Sequence, residues 1–300
     1  MVPEDVLRRY QRAGRIAAEV REEARRFVRV GMPLLEVCER VESLIIEKGG
    51  KPAFPCNVCL NEVAAHYSSP PNDPKTVPEG AVVKVDIGVH IDGYIADTAA
   101  TINFNPAYEG LCHAVEEALE RAIDRLRPGV KTSEMGAVVQ RTIERRGFKP
   151  IRNLTGHQVG RYVIHTGRSI PNISTFDSFR IKEGDVCAVE PFATLPSGLG
   201  EVGGTEETYI YRLYRGRSVR DVRARRLLDV IRSRFRTLPF SERWVRGALP
   251  EEHLHGALSR LVSAKRVFAY PVLVEGGGTV VSQAEHTAIV TKDGCLVITL

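Results

Sequence analysis

The chain has 300 residues, 43% hydrophobic and 26% charged, with a formal net charge of +5. This is an ordinary soluble composition, long enough for one large domain or two smaller ones with ample core volume. No apolar run approaches the roughly 18 residues of a membrane span, and the opening MVPEDVLRRYQRAG lacks the apolar region of a signal peptide, so no membrane association and a cytoplasmic location are expected.

Apolar residues Val6, Tyr10, Ala13, Ala17, Val20, Ala24 and Phe27 recur at steps of three and four, which predicts a long amphipathic first helix. A second helix starts after Pro33 and stops at Gly49-Gly50. Cys56-x-x-Cys59 follows as a lone pair within a set of six cysteines that fits no regular disulfide framework. Zinc would need a second pair or nearby histidines; a local redox or disulfide role stays open, and buried thiols are the default.

In VKVDIGVHIDGYIADTAAT, Val83 to Thr101, two β-prone runs flank Asp92-Gly93, a strong hairpin signal because both central residues of the loop need positive φ. Pairing Ile91 with Tyr94 sets Gly88 opposite Asp97 and Asp86 opposite Ala99, all four on one face. The aspartates become diagonal neighbours, roughly 7 to 8 Å apart at the backbone, within reach of a dinuclear site whose ions lie about 3.5 to 4 Å apart. Gly88 and Ala99 would leave room for the ions. Aspartates on a hairpin are usually solvated. Here Val82, Val83, Val85, Ile87, Ile95 and Ile102 make the ribbon too apolar to be exposed, so inward carboxylates would need a partner.

Leu111, Val115, Leu119, Ala122 and Leu126 mark a third helix, closed by Pro128-Gly129, and a fourth runs from about Thr132 to Gly147. Strand signals recur near Val186 to Val189, Thr208 to Tyr211, Thr279 to Val281, Thr287 to Thr291 and Cys295 to Thr299, with Asp293-Gly294 as a second hairpin turn. Residues 79–86, EGAVVKVD, and 183–190, EGDVCAVE, share Glu, Gly, two Val and a final acid at the same offsets, which suggests two related halves. One segment differs: residues 204–268 hold 14 Arg and one Lys against seven acids, a balance of +8 that leaves −3 for the rest. It reads mainly helical. Ser218-x-x-Asp221 resembles a capping box before Val222, Leu227, Leu228, Ile231 and Phe235, and Leu254, Leu258 and Leu261 mark a later helix. An inserted helical subdomain is expected, whose arginines either contact nucleic acid or form a solvated basic face.

Five residues, Asp86, Asp97, His157, Glu190 and Glu285, each fall in a stretch read as a strand or tight loop. Four carboxylates and an imidazole would converge in a core only around cations, which would make the protein a two-metal hydrolase. His66 sits in FPCNVCLNEVAAHYSSP, and His157 and His165 in NLTGHQVGRYVIHTGRSIPNI. His90, His113, His253 and His255 read as surface or hydrogen-bonded residues, and His286 would point to the opposite face of its strand from Glu285.

The segments AFPCNVCLNEVAAHY, VKVDIGVHIDGYIADTA, NLTGHQVGRYVIHTG, CAVEPFAT and SQAEHTAIV, in this order, resemble the pita-bread metallopeptidases, specifically type II methionine aminopeptidases. The resemblance covers essentially the whole chain. It implies an α+β pita-bread (creatinase/aminopeptidase) fold with pseudo-twofold halves, residues 1–203 and 269–300 forming the catalytic domain and 204–268 an inserted, winged-helix-like helical subdomain. Without the charged N-terminal extension of eukaryotic type II enzymes, the sequence looks archaeal.

By the same resemblance, Asp86, Asp97, His157, Glu190 and Glu285 would ligate two divalent ions, with Asp97 and Glu285 bridging. The ions would share a water, lower its pKa and present hydroxide to the scissile carbonyl, with Glu190 as proton shuttle. His165 would hydrogen-bond the substrate carbonyl and developing oxyanion, and His66 would lie near the scissile amide and help the leaving amine. Phe54, Ile164, His165 and Tyr270 would surround the methionine side chain, although Phe54 and Ile164 read equally well as core. The carboxylate-rich set suits Mn²⁺, Fe²⁺ or Co²⁺ at least as well as Zn²⁺. The implied substrates are N-terminal methionyl peptides and nascent proteins with a small second residue, met near the ribosome by a monomeric enzyme. Two alternatives stand beside this: an Xaa-Pro peptidase of the same fold, and an inactive pita-bread protein that binds RNA or proteins through the basic insertion.

Overall fold

The computed structural model describes residues 2–176, 178–216 and 218–300. Helices α1 (Glu4–Phe27) and α2 (Leu34–Glu47) form where the apolar steps place them. The first carries Glu4 and Asp5 in its opening turn and Arg25 and Arg26 in its last, which complements the helix dipole, and it buries Tyr10, Ala13, Ala17, Val20, Ala24 and Phe27. Both helices join one hydrophobic core with the strands that follow.

Those strands are β1 (Lys51–Pro52), β2 (Asn57–Leu60), β3 (Val63–Ala65), β4 (Val82–Ile91) and β5 (Tyr94–Asn103). Strand β4 has β5 along one side in full and β1 and β2 sharing the other. Asp92 and Gly93 have φ of 51° and 88°, and the register follows from that turn: Ile91 faces Tyr94, Gly88 faces Asp97 and Asp86 faces Ala99.

The second half opens with the packed pair α3 (Glu109–Ile123) and α4 (Thr132–Arg145), then β6 (Lys149–Pro150), β7 (Thr155–Gln158), β8 (Ser169–Pro171), β9 (Val186–Val189) and β10 (Phe192–Thr194). After β11 (Val202–Leu213) come α5 (Val222–Phe235), β12 (Phe240–Ser241), α6 (Glu251–Ser263), β13 (Val267–Glu275), β14 (Val281–Gln283), β15 (His286–Val290) and β16 (Cys295–Val297). The larger sheet of this half runs β16-β15-β9-β7-β8, a three-stranded sheet runs β14-β10-β6, and β12-β11-β13-β3 forms a third. A second core cluster joins Leu111, Met135, Cys187 and Ala288. The repeated octapeptides occupy comparable places, with Gly80 (φ 66°) and Gly184 (φ 88°) in the turns that lead into β4 and β9. Fold class is thus mixed α and β in two halves, as expected.

Residues of the basic segment make a separate core, in which Leu227, Leu228 and Ile231 of α5 meet Leu254, Leu258 and Leu261 of α6 and Phe240. This part is less purely helical than its sequence suggests, because β11 and β13 pair along their lengths at its two ends. Two local expectations are corrected, at the α5 cap and at the β15–β16 turn. Asp221 alone caps α5, its Oδ1 accepting from Ala224 N at 2.8 Å, since the helix starts one residue later and not after Ser218. The β15–β16 turn is centred on Lys292-Asp293, because Val290 pairs with Cys295 and Thr291 N donates to Gly294 O; neither Asp293 nor Gly294 has positive φ. Cys56 and Cys59 are free, buried thiols that donate to different carbonyls, of Asn57 and Tyr67.

A carboxylate at the end of β13 joins the loop before β11 to the loop after β13. Glu275, 2% exposed, accepts from the backbone N–H groups of Leu199, Gly200, Gly277 and Thr279 and from the Thr279 hydroxyl. Burial pushes its pKa up, but the four N–H bonds together hold it below the usual range. Removing the acceptor takes the shared partner from four N–H groups and a hydroxyl, of which Gly200 N is buried. Glu275→Ala should therefore lower the unfolding free energy by about 3 kcal/mol, read by urea denaturation; a loss near zero would mean that water replaces the carboxylate.

Candidate metal centre

Two strand systems meet edge to edge to build the site. Ala99 of β5 and Glu285 form an antiparallel bridge, with Glu285 N donating to Ala99 O at 3.2 Å. Side chains reinforce it. Asp97 N donates to Thr287 Oγ1 and Thr287 Oγ1 donates to Asp97 O, each at 2.8 Å, while Thr98 Oγ1 donates to the Glu285 carbonyl at 2.8 Å. Two residues further along β5, Thr101 Oγ1 donates to Gln283 O at 2.7 Å and accepts from Gln283 N. These cross-links fix Asp97 and Glu285 side by side.

Asp86 reaches the same point from β4, His157 from β7, and Glu190 from the residue after β9. His157 Nε2 lies 3.6 Å from Asp97 Oδ2 and 3.5 Å from Glu190 Oε1. Ligand atoms of Asp97, His157 and Glu285 can all lie within 4.8 Å of one another, a spacing that could hold a metal ion. A cavity of about 210 Å³ opens on the cluster, and its walls include Phe54, His66, Asp86, Asp97, His157, Ile164, His165, Glu190, Tyr270 and Glu285. All ten candidate residues of the sequence reading come together here.

Charge without compensation marks the centre. Asp86 Oδ1, Asp97 Oδ1 and both Glu285 carboxylate oxygens are buried without a hydrogen-bond partner, a condition that costs free energy unless a cation or proton supplies one. Burial pushes Asp86 up to about 7. Burial and then the neighbouring acids drive Asp97, Glu190 and Glu285 well above the usual carboxylate range. His157 is held well below the histidine range by burial and by His165. Orphaned oxygens plus one neutral imidazole form a donor set that fits divalent cations.

The two other histidines are set by their backbones. His66 has φ of 67°, held because its N–H donates to Asn57 Oδ1 at 2.8 Å. Its Nδ1 lies 3.1 Å from the Pro271 carbonyl. A carbonyl only accepts, so Nδ1 carries the proton and Nε2 keeps a lone pair; burial holds this ring below the usual histidine pKa. His165 packs edge-on to His157 at 4.3 Å between centroids. It retains an exposed flank, and the cleft wall, with His66 and Arg212 nearby, lowers its pKa.

The model of metallopeptidase family M24 matches residues 8–220. Over 97% of both chains, this sequence is 46% identical to a methionine aminopeptidase of Methanothermobacter thermautotrophicus. The chain belongs to family M24, among the methionine aminopeptidases. Two solved structures share the family fold. A thermophilic Arx1 superposes with a TM-score of 0.85 at 18% identity, covering 99% of this chain and 91% of that one. The methionine aminopeptidase of Thermotoga maritima gives 0.71 at 22% identity, covering 100% and 98%.

Several residues of this M24 site were not legible. Gly88 does not leave space for ions: a Cβ there would lie 2.2 Å from Phe54 Cε1, so the missing side chain admits the Phe54 ring. Asn57 pairs opposite Asp86 and anchors His66. Asn172, 2% exposed, donates from Nδ2 to the carbonyls of both Leu154 and Glu190. Arg21, 8% exposed, donates to Thr98 Oγ1 and the Thr299 carbonyl behind the metal centre, and to His286 Nδ1, which holds that ring away from the cavity. Each acts through tertiary contacts that no local pattern announces. Only the φ of His66, rare for a non-glycine residue, signals an anchor, and it is visible once the backbone is known.

The raised carboxyl pKa values fix the sign of the pH dependence. A carboxyl that titrates higher in the fold than in the unfolded chain favours the fold while protonated, so the metal-free protein loses this contribution as pH climbs from about 4 through the folded value of about 7 at Asp86. Cations compete with those protons. The increase in Tm on adding Mn²⁺ should therefore be large at pH 8 and shrink at pH 5.5; equal shifts at both would place the ion elsewhere.

Proposed function

We propose that this chain removes the N-terminal methionine from nascent proteins whose second residue is small, and that Asp86, Asp97, His157, Glu190 and Glu285 would hold two divalent ions that supply the Lewis acidity. The observation that carries the reading is one cavity lined by these five residues and by His66, His165, Phe54, Ile164 and Tyr270. Relatives at 46 to 48% identity over nearly the full chain are methionine aminopeptidases, which favours methionine over proline as the specificity. We further propose a cytoplasmic monomer acting near the ribosome, with residues 204–268 as an inserted subdomain. Among the described residues no helix is long and apolar enough to cross a membrane.

When bound, the ions supply Lewis acidity and a water acidic enough to ionise near neutral pH. The chain's own residues do the rest. Phe54, Ile164 and Tyr270 offer an apolar slot to the methionine side chain, and Ile210 and Pro239 of the 204–268 segment also line the cavity. Glu190, on the residue just past β9 and partly exposed to the cavity, would pass a proton from the attacking water toward the leaving amine. His165 stands at the wall where the substrate carbonyl would lie and donates to its oxygen as charge develops. His66 presents its Nε2 lone pair to the first peptide bond and the amine that leaves.

A panel of Met-Ala, Met-Gly and Xaa-Pro peptides tests the specificity: cleavage of the methionyl peptides alone is expected, and cleavage only before proline would sink the reading. His66→Ala and His165→Ala should keep their metal and turn over about 10²-fold more slowly or worse, with near-wild-type rates refuting the roles. Because Pro271 ties up Nδ1, a fumagillin-type epoxide should alkylate His66 at Nε2. Mass spectrometry placing the adduct on another residue would contradict this orientation.

A further inference from the structure

Ile164 and His165 lie in the segment between β7 and β8, tied back to β7 beyond His165 by Thr166 N donating to Gln158 O at 3.1 Å and Gln158 N donating to Arg168 O at 2.9 Å. Its fold depends on a tight turn in which Gly160 N donates to Val163 O at 2.8 Å and Val163 N donates back to Gly160 O at 3.0 Å. Inside that turn lies Tyr162 with φ of 59°, a left-handed conformation that a bulky residue adopts only when its surroundings enforce it.

Two elements enforce it. On one side is the Asp92-Gly93 turn: Tyr162 N donates to Gly93 O at 2.7 Å and Arg161 Nε donates to Asp92 O at 3.0 Å. The Tyr162 ring lies where a side chain at position 93 would be, with a Cβ there only 2.3 Å from Tyr162 Cδ2. His90 supports the pair, its ring edge-on to Tyr162 at 5.6 Å and its Nδ1 accepting from Gly93 N at 3.0 Å. On the other side is the stretch of the basic segment just after α5, where the Arg236 guanidinium sits 4.4 Å over the Tyr162 ring and Thr237 Oγ1 donates to the Tyr162 carbonyl.

We propose that Tyr162 is a positioning residue for His165, latching the histidine's loop to the Asp92-Gly93 turn and to the Arg236-Thr237 corner of the insertion. The inference rests on the role given to His165 above. Gly93 then serves two ends, the register of the metal-binding aspartates through its φ and the seat of the latch through its missing side chain. The insertion reaches turnover through this contact without touching the reacting bond.

Two substitutions separate ring from backbone. Tyr162→Phe keeps the ring; Tyr162→Gly accepts the positive φ but removes the ring. With the Mn²⁺-loaded full-length protein and a Met-Ala peptide, Tyr162→Gly should lose about 10²-fold in kcat, the scale on which a catalytic group displaced by about 1 Å is felt. Its KM should move less than about threefold and its metal content should stay at the wild-type level. Tyr162→Phe should match wild type. Amide hydrogen exchange at residues 163–166 should accelerate in the glycine variant only. The proposal is overturned if Tyr162→Gly keeps its kcat, if Tyr162→Phe loses as much, or if metal content falls in step with kcat. Should the wild-type protein fail to cleave the peptide, the functional reading fails instead, and the exchange rates alone decide the latch.

Discussion

Four carboxylates forced into one cavity are the constraint on which the rest of the structure depends. Asp97 and Glu285 are 3% and 1% exposed, and removing an ionised carboxylate from water costs several kcal/mol even after relaxation. Without cations the cluster must hold protons, which is why burial raises all four pKa values. Such charges stay together only if their backbones cannot move apart. The double Asp97–Thr287 exchange, the Ala99–Glu285 bridge and the Thr101–Gln283 pair supply that rigidity, stitching the edge of the first sheet to the strands of the second half. The pita-bread architecture is the consequence: two halves that share an edge made of carboxylates and threonines.

The histidines that are not placed among the metal ligands are supported in a different way. Asp86, Asp97 and His157 sit within strands, whereas His66 and His165 occupy irregular backbone close to residues with φ of 67° and 59°. A loop histidine can sit at the angle its chemistry needs, but a loop has no ladder to hold it there. Hydrogen bonds to Asn57 Oδ1 and the Pro271 and Gly93 carbonyls, and one from the Thr237 hydroxyl, take over that task. A second anchor runs through Glu42, which accepts from Cys56 N beside Asn57 and binds Arg243 and Trp244 of the basic segment at 2.8 Å. Both histidine loops are therefore braced against the same basic segment.

What the sequence made legible was local. The Asp-Gly turn sets the β4–β5 register through two positive φ angles, and the register alone puts Asp86 and Asp97 on one face. Amphipathic steps of three and four placed α1 and α2 because each buries one stripe. The turn after β15 was misplaced by one residue because Gly294 signals a left-handed position that the Val290–Cys295 pairing never uses. Gly88 was misread for a tertiary reason, since the ring that fills its space comes from Phe54, far back in the chain. Asn57, Asn172 and Arg21 are ordinary residues by type, and their importance lies in partners up to 278 positions away.

The octapeptide echo shows how two related halves can carry unlike chemistry. Both copies pass through a positive-φ glycine into a strand and end on an acid. Asp86, however, lies mid-strand with β5 on one side and β2 on the other, whereas Glu190 falls just past the end of β9, its carbonyl held by Asn172. The first acid is short and fixed on both sides. The second has a longer side chain, 12% exposed, on backbone released from the ladder. A fixed carboxylate suits holding an ion, and one with play suits accepting a proton on one side and delivering it on the other. The division of labour proposed for the two acids thus follows from where each copy of the repeat stops relative to its strand.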